Sequence, residues 1–193
     1  MPDQKLYIPL LLGTPRKDRE SERAAKWVFA RMQERDEIET EYFDVRSFDL
    51  PSDDYGQGLK DRFPEWRDAI VRADGLVLVT PEYNHGYPGA MKSVLDLLLR
   101  EYIHKPVSFV GVSSGPWGGT RVIEACIPMV RELGLAACFT DLNFPLVASK
   151  FNEVGEMIDP AYPKRVSGFL DELVWMATTF RWGRQNVPSR FHS

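Results

Sequence analysis

Three runs along the chain are apolar throughout rather than alternating: "LYIPLLLG" (6–13), "GLVLVT" (75–80) and "PVSFVGVSS" (106–114). Short runs with no polar face predict strands covered on both sides, as in a sheet lying between helical layers. "IETEYFDV" (38–45) alternates instead, the pattern of a strand at or near a sheet edge. "AACFTDLNFPLV" (136–147) starts apolar and turns polar, which predicts a fifth strand with a polar continuation. Between the strands the period lengthens. Ala24, Ala25, Val28, Phe29 and Met32 recur at helical spacing within 21–35, with charged residues between them. "PEWRDAIVRAD" (64–74) opens on Pro and Glu, as first helical turns prefer. Further helices are predicted over 88–102, over 119–134 (crossed by Pro128) and over 159–183, while the polar stretch 46–63 reads as a long loop.

The order is βαβαβαβαβα with short connections, which implies a parallel sheet with helices on both faces. The expected fold is therefore a three-layer α/β sandwich, and five strands suggest the flavodoxin-like order 2-1-3-4-5. Pro9 is the awkward residue, because a proline on an inner strand removes a ladder hydrogen bond. Ligands of such sheets bind beyond the C-terminal strand ends, so the loops after strands one, three and four carry the candidate chemistry.

Composition narrows the classes without naming a function. A chain of 193 residues, 44% hydrophobic and 27% charged, is long enough for one buried core, so a single domain over 1–193 is expected. A net charge of −4 with no basic stripe gives no reason to expect nucleic acid. The opening "MPDQKLYIPLLLG" has too short an apolar run for a signal peptide, and no stretch approaches membrane-spanning length. No membrane association and a cytoplasmic location follow as expectations. Cys126 and Cys138 form no CxxC and read as buried thiols. His85, His104 and His192 lie too far apart for a helical metal pair, so no metal is expected.

The three loops differ in chemistry. "GTPRKDRES" (13–21) joins a strand to a helix start and offers the hydroxyls of Thr14 and Ser21, the forked donor of Arg16 and close approach at Gly13. With free N–H groups at the helix start it forms a plausible phosphate cradle, although it matches neither a P-loop nor GxGxxG. The alternative is a capped helix in which Ser21 bonds backbone N–H groups and the charges are solvated. Glu20 and Glu22 oppose an anion, and Arg16, Lys17, Arg19 and Arg23 outnumber them. "PEYNHGYPG" (81–89) leaves the third strand with Pro81 fixing its direction, a flat face at Tyr83, polar groups at Glu82, Asn84 and His85, and glycines at 86 and 89. It suits contact with a flat heteroaromatic group, or else packs on its own aromatics. "SSGPWGGT" (113–120) suits backbone donation to a ligand.

The third loop also contains "GVSSG" (111–115), a GxSxG match to the nucleophile elbow of serine hydrolases. Three features weigh against that reading. Pro116 and two further glycines postpone the helix, the only late histidine is His192 in a polar tail, and too few strands are present.

Taken together, the motifs "GTPRKDRES", "PEYNHGYPGAMKS" and "SSGPWGG" resemble those of the NADPH-dependent FMN reductase family, flavodoxin-like enzymes that include quinone, azo and chromate reductases. The similarity covers roughly residues 6–140, and the second motif is the most specific. The resemblance implies FMN as cofactor, with NADPH or NADH as electron donor. It implies that Thr14, Arg16 and Ser21 bind the FMN phosphate, Thr14 standing where a serine is usual. Pro81, Glu82, Tyr83 and Asn84 would line the isoalloxazine with His85 beside them. Ser113, Gly115, Gly118 and Gly119 would approach from the other side. Met91 stands where leucine is common, and Trp117 would shape substrate entry.

The implied chemistry is hydride transfer from nicotinamide to FMN and on to a small-molecule acceptor: a quinone, an azo compound, a metal oxyanion or a flavin. No side chain need act as a nucleophile, so no catalytic residue is assigned, although Tyr83 or His85 could supply a proton. The rival readings are a flavodoxin-like electron carrier or flavin-binding partner protein, and the GxSxG hydrolase. In "FLDELVWMATTFRW" (169–182) the aromatic positions cannot all face one core, and similar enzymes assemble, so a homodimer or homotetramer is expected.

Overall fold

The structure, a computed structural model, describes residues 4–50 and 59–191. Among the described residues eight short strands run in chain order: β1 (Leu6–Tyr7), β2 (Leu10–Leu12), β3 (Ile38–Glu39), β4 (Tyr42–Asp44), β5 (Leu76–Pro81), β6 (Lys105–Val112), β7 (Leu135–Ala137) and β8 (Leu142–Phe144). All their pairings are parallel. The main sheet has the order β4-β2-β5-β6-β7, with β8 also on β6, and β1 pairs β3. Merging each interrupted pair into one strand gives the expected order 2-1-3-4-5.

The interruptions have local causes. The first strand is not continuous over 6–13, because Pro9 lacks an N–H. The ladder resumes at Leu10, whose amide donates to Glu41 O at 2.9 Å, and the Thr40 hydroxyl donates to Ile8 O at 2.7 Å across the break. On the other side the Pro9 carbonyl still accepts from Val77 N at 3.0 Å. An inner-strand proline is thus accommodated by a side-chain hydroxyl. The fifth strand is likewise two pieces, split at residues 138–141.

Among the described residues five helices cover the sheet: α1 (Ser21–Gln33), α2 (Pro64–Arg72), α3 (Gly89–Leu95), α4 (Thr120–Glu132) and α5 (Tyr162–Asn186). Leu11, Leu76, Leu78 and Phe109 point to the face packed by Trp66 and Ile70 of α2, Val94 and Leu95 of α3, and Val122 and Val130 of α4. Their alternates Leu10, Leu12, Val77, Val79 and Val110 meet Ala25 and Val28 of α1 and Phe169 and Leu173 of α5. The two-residue alternation of uniformly apolar strands therefore feeds both faces, and the core is two layers deep. The helix expected over 88–102 ends early, at Leu95, and a single 3-10 turn at Arg100–Tyr102 follows it. Part of the expected 46–63 loop lies outside the described residues.

α5 sorts its aromatics as the sequence requires. Phe169, Leu170, Leu173 and Ala177 are buried, whereas Trp175 is 62% and Trp182 49% exposed. Among the described residues no helix is long and apolar enough to cross a membrane.

At the N-terminal edge of the sheet, Asp74 accepts from Tyr7 N at 3.0 Å and from Arg181 Nε and Arg184 Nη2, each at 2.8 Å. This ties the first strand, the end of α2 and α5 together, opposite the edge where the long loops gather. Nearby, Lys105 is buried with its ammonium on the carbonyls of Ile70 and Val71, the second at 3.0 Å. Burial pulls its pKa down to about 7.

Candidate functional site

At the C-terminal edge of the sheet a cavity of about 500 Å³ opens between the loops after β2, β5, β6 and β8. Its volume falls within the ~300–1,000 Å³ of small-molecule sites. The cavity brings together Arg16, Ser21, Pro81, Glu82, Tyr83 and Ser113, six of the residues expected from sequence. Thr14, Asn84, His85, Gly115, Gly118 and Gly119 are not among its lining residues.

The first loop is shaped by arginines. Arg19 is buried, with its guanidinium on the Thr14 carbonyl, on both oxygens of Asp44 (one at 2.9 Å) and on Glu22 at 3.3 Å. Burial favours the neutral acid at Asp44, but the Arg19 bonds and charge outweigh it and hold that carboxyl below its usual range. Arg19 therefore fastens the loop to β4. It is scaffold, where composition had counted it with the free cations. Arg46 adds a second clasp on the carbonyls of Pro15 and Arg16. Gly13 is needed for a neighbour inside the fold: a Cβ there would lie 2.5 Å from Met91 Sδ.

These clasps leave Ser21 in an unusual state. The residue preceding α1, Glu20, has a helical backbone and makes no side-chain cap bond. Ser21 is 3% exposed, lines the cavity, and its hydroxyl has no hydrogen-bond partner. The capping alternative for Ser21 is not what the fold adopts. Both nearby acids are matched by cations, Glu20 by Arg23 at 3.5 Å and Glu22 by Lys26 at 2.7 Å. Thr14, by contrast, is spoken for: its hydroxyl pairs with Tyr83 Oη at 2.8 Å and accepts from Arg16 N at 3.3 Å. The Arg16 guanidinium lies 5.5 Å from the centre of the Tyr83 ring.

The second loop is a tight turn. Tyr83 and Gly86 exchange both backbone bonds, at 2.9 and 3.0 Å, with Asn84 (φ 50) and His85 (φ 67) in the left-handed region between them. Asn and His tolerate that region better than most residues, which explains "NHG" at this point. Glu82 N donates to Val112 O at 3.0 Å. The Glu82 side chain pairs with Arg121, from the first turn of α4. Arg121 also reaches His85 Nε2 at 2.7 Å. Arginine can only donate, so Nε2 accepts in this contact.

The third loop uses its polar groups on itself. Ser113 Oγ donates to Gly115 O at 2.8 Å and accepts from Gly118 N at 2.9 Å, so the hydroxyl that a hydrolase would need is committed to the turn. His192 lies outside the described residues. Gly119 (φ 78) could carry no side chain, because a Cβ would stand 2.6 Å from Val112 N, and Gly118 is closed in by Asn143 and Pro145. Close packing of these two glycines onto β6 and the chain after β8 accounts for them.

Sequence reasoning missed Asp18 and Ser114, the wall formed by residues 146–149, and Arg121. The wall was findable. It follows the fifth strand at the same sheet edge, and only the loops after strands one, three and four had been searched. Leu146 N and Val147 N hold it to the third loop through Gly115 O (2.9 Å) and Ser113 O (3.1 Å).

The profile of a family described as NADPH-dependent FMN reductase matches residues 7–145. The chain is 34% identical over 123 residues to an NADPH azoreductase of Bacillus sp. (strain OY1-2), a match spanning 62% of this chain and 66% of that one. It thus covers about two thirds of that enzyme's length. A quinone reductase of Escherichia coli (strain K12) is 31% identical over 146 residues, covering 68% and 72% respectively. Among solved structures, the flavoenzyme NAD(P)H:(acceptor) oxidoreductase FerB from Paracoccus denitrificans superposes with a TM-score of 0.77 over 91% of this chain and 98% of that one. At 22% identity this last likeness bears on the fold alone.

Proposed function

Because the chain belongs to the NADPH-dependent FMN reductase family, we propose that the cavity at the C-terminal edge of the sheet holds FMN and that the protein reduces a small planar acceptor with NAD(P)H. The observation that carries the reading is the Ser21 hydroxyl, buried in the cavity wall at the start of α1 and lacking any partner. A buried unpaired hydroxyl costs ~1–3 kcal/mol, a penalty that an incoming phosphate oxygen relieves. The positive end of α1 and the Arg16 guanidinium favour the same anion.

FMN held there would supply two-electron hydride chemistry between nicotinamide and acceptor. The chain's own residues hold and screen. Ser21 and Arg16 receive the phosphate. Arg19, by fastening the loop to Asp44, keeps that end of the cavity from collapsing. Pro81, Tyr83, Val112, Leu146 and Val147 give the cavity an apolar wall suited to a flat ring system. Thr14 fixes the Tyr83 hydroxyl, which sets the angle of that wall. The Glu82, Tyr83 and Gly86 amides are used within the fold, so the turn's remaining donors are Asn84 N and His85 N.

The apolar wall favours a quinone or azo compound over a metal oxyanion. Steady-state NADPH oxidation with one acceptor of each class tests this, with kcat/KM expected to be highest for the planar organic acceptors. A higher value for chromate would reverse the ranking, and no NADPH oxidation with any acceptor would favour the electron-carrier reading. Assembly as a homodimer or homotetramer belongs to the same proposal, with exposed Trp175 and Trp182 on the face offered to a second copy. Light scattering on a sizing column reads it directly, and a monomer rejects it.

A further inference from the structure

Arg121 occupies a position that neither the motifs nor the family description assigns. It projects from the first turn of α4, yet its contacts belong to other loops: the Glu82 carboxylate, His85 Nε2 at 2.7 Å, and the Trp117 ring at 5.5 Å. The Glu82 side chain is 5% exposed, against 41% for that of Arg121. One carboxylate oxygen, Oε2, is buried without a hydrogen-bond partner, and Arg121 is the cation that matches the charge. Glu82 also lines the cavity. A nearly buried carboxylate therefore stands at the cavity wall, with its neutralising charge supplied from the rim.

We propose that Arg121 is a positioning residue that latches the Tyr83–Gly86 turn to α4 and cancels the Glu82 charge beside the cavity, so that the cavity can accept an anionic, reducible cofactor. The inference rests on the FMN reading above. Removing Arg121 leaves the carboxylate buried and unpaired. Such a charge is far more costly than the pair it replaces, and it repels any group that gains negative charge next to it. The two bonds from one guanidinium also hold the turn whose central residues, Asn84 and His85, lie in the left-handed region.

The test uses Arg121→Gln, Arg121→Lys and the double variant Glu82→Gln/Arg121→Gln, in two stages. The first needs no cofactor: melting of the apo-proteins is compared at a single pH. Arg121→Gln, with the Glu82 carboxylate left buried and unpaired, should melt well below wild type, and the double variant should recover most of that loss. In the second, FMN affinity is measured by fluorescence quenching and the midpoint potential of the bound cofactor by dye equilibration. Arg121→Gln should weaken FMN binding by ~10-fold or more and lower the potential. Arg121→Lys should restore most of the potential, and the double variant should restore both readouts. Loss of affinity in Arg121→Gln that the double variant fails to restore would show that Arg121 acts only by shape and overturn the charge-cancelling role. An apo Arg121→Gln that melts no lower than the double variant overturns it equally. Failure of wild type to bind FMN, with the first stage behaving as described, defeats the FMN reading while leaving the Glu82–Arg121 coupling established.

Discussion

Replacing Ser21 with alanine separates a ligand-binding hydroxyl from a structural one by sign. Ser21 is 3% exposed and its hydroxyl makes no bond within the fold. Removing that oxygen from the apo-protein relieves ~1–3 kcal/mol of uncompensated desolvation, and alanine in place of serine adds ~0.5 kcal/mol of helix propensity. At ~2–4 °C per kcal/mol for a chain of this size, apo Ser21→Ala should melt roughly 3–14 °C higher than wild type. Its FMN affinity should move the other way. A hydrogen bond to a charged phosphate is worth ~1.5–3 kcal/mol, so the Kd should rise by about 10- to 150-fold. Riboflavin, which lacks the phosphate, should bind both proteins alike. Scanning calorimetry of the apo-proteins and fluorescence titration with the two flavins measure all three quantities. A lower melting temperature would mean that the hydroxyl caps α1 after all. An unchanged FMN affinity would remove Ser21 from the phosphate site.

Other perturbations probe the scaffold. Gly119→Ala pushes a methyl to within 2.6 Å of Val112 N at a left-handed φ, and should destabilise the fold by ~3 kcal/mol or more in denaturant titration. Asp74→Ala leaves Arg181 and Arg184 without their shared carboxylate, and should cost ~3–5 kcal/mol of stability with little change in FMN Kd, because it lies at the opposite end of the sheet. Lys105 has a folded pKa of about 7, below the ordinary lysine value, so the unfolded chain binds its proton more readily and this group makes stability rise with pH above ~7. Stability curves at pH 7 and 9 should therefore differ less in Lys105→Met than in wild type, by up to ~1.4 kcal/mol per pH unit. An equal slope in the two proteins would count against the buried, neutral lysine.

Much of the architecture was legible because parallel strands advertise themselves. Uniformly apolar runs at 75–80 and 106–114 admit few alternatives, and the βα alternation fixes their order once handedness is imposed. What sequence could not give were facts that depend on partners far along the chain. Pro9 is tolerated because Thr40 lends a hydroxyl to the neighbouring carbonyl. Arg19 counted among the cations outnumbering Glu20 and Glu22, and Asp44, on a strand formed later in the chain, claims it. Thr14 likewise turns to Tyr83. The glycines of "GPWGGT" suggested room for a ligand, and Gly118 and Gly119 instead make room for the protein's own backbone. Motif spacing identifies which loops meet at the edge; which side chains remain free there is decided by long-range pairing.

The central claim is that FMN sits in the cavity walled by residues 81–83, 112–114 and 146–149, with its phosphate at the start of α1. A crystal structure of the protein grown with saturating FMN tests this directly. The account predicts density for the ring against Tyr83 and Leu146 and a phosphate oxygen within hydrogen-bonding distance of Ser21 Oγ. FMN seated elsewhere on the molecule, or an empty cavity at saturating FMN, would contradict it.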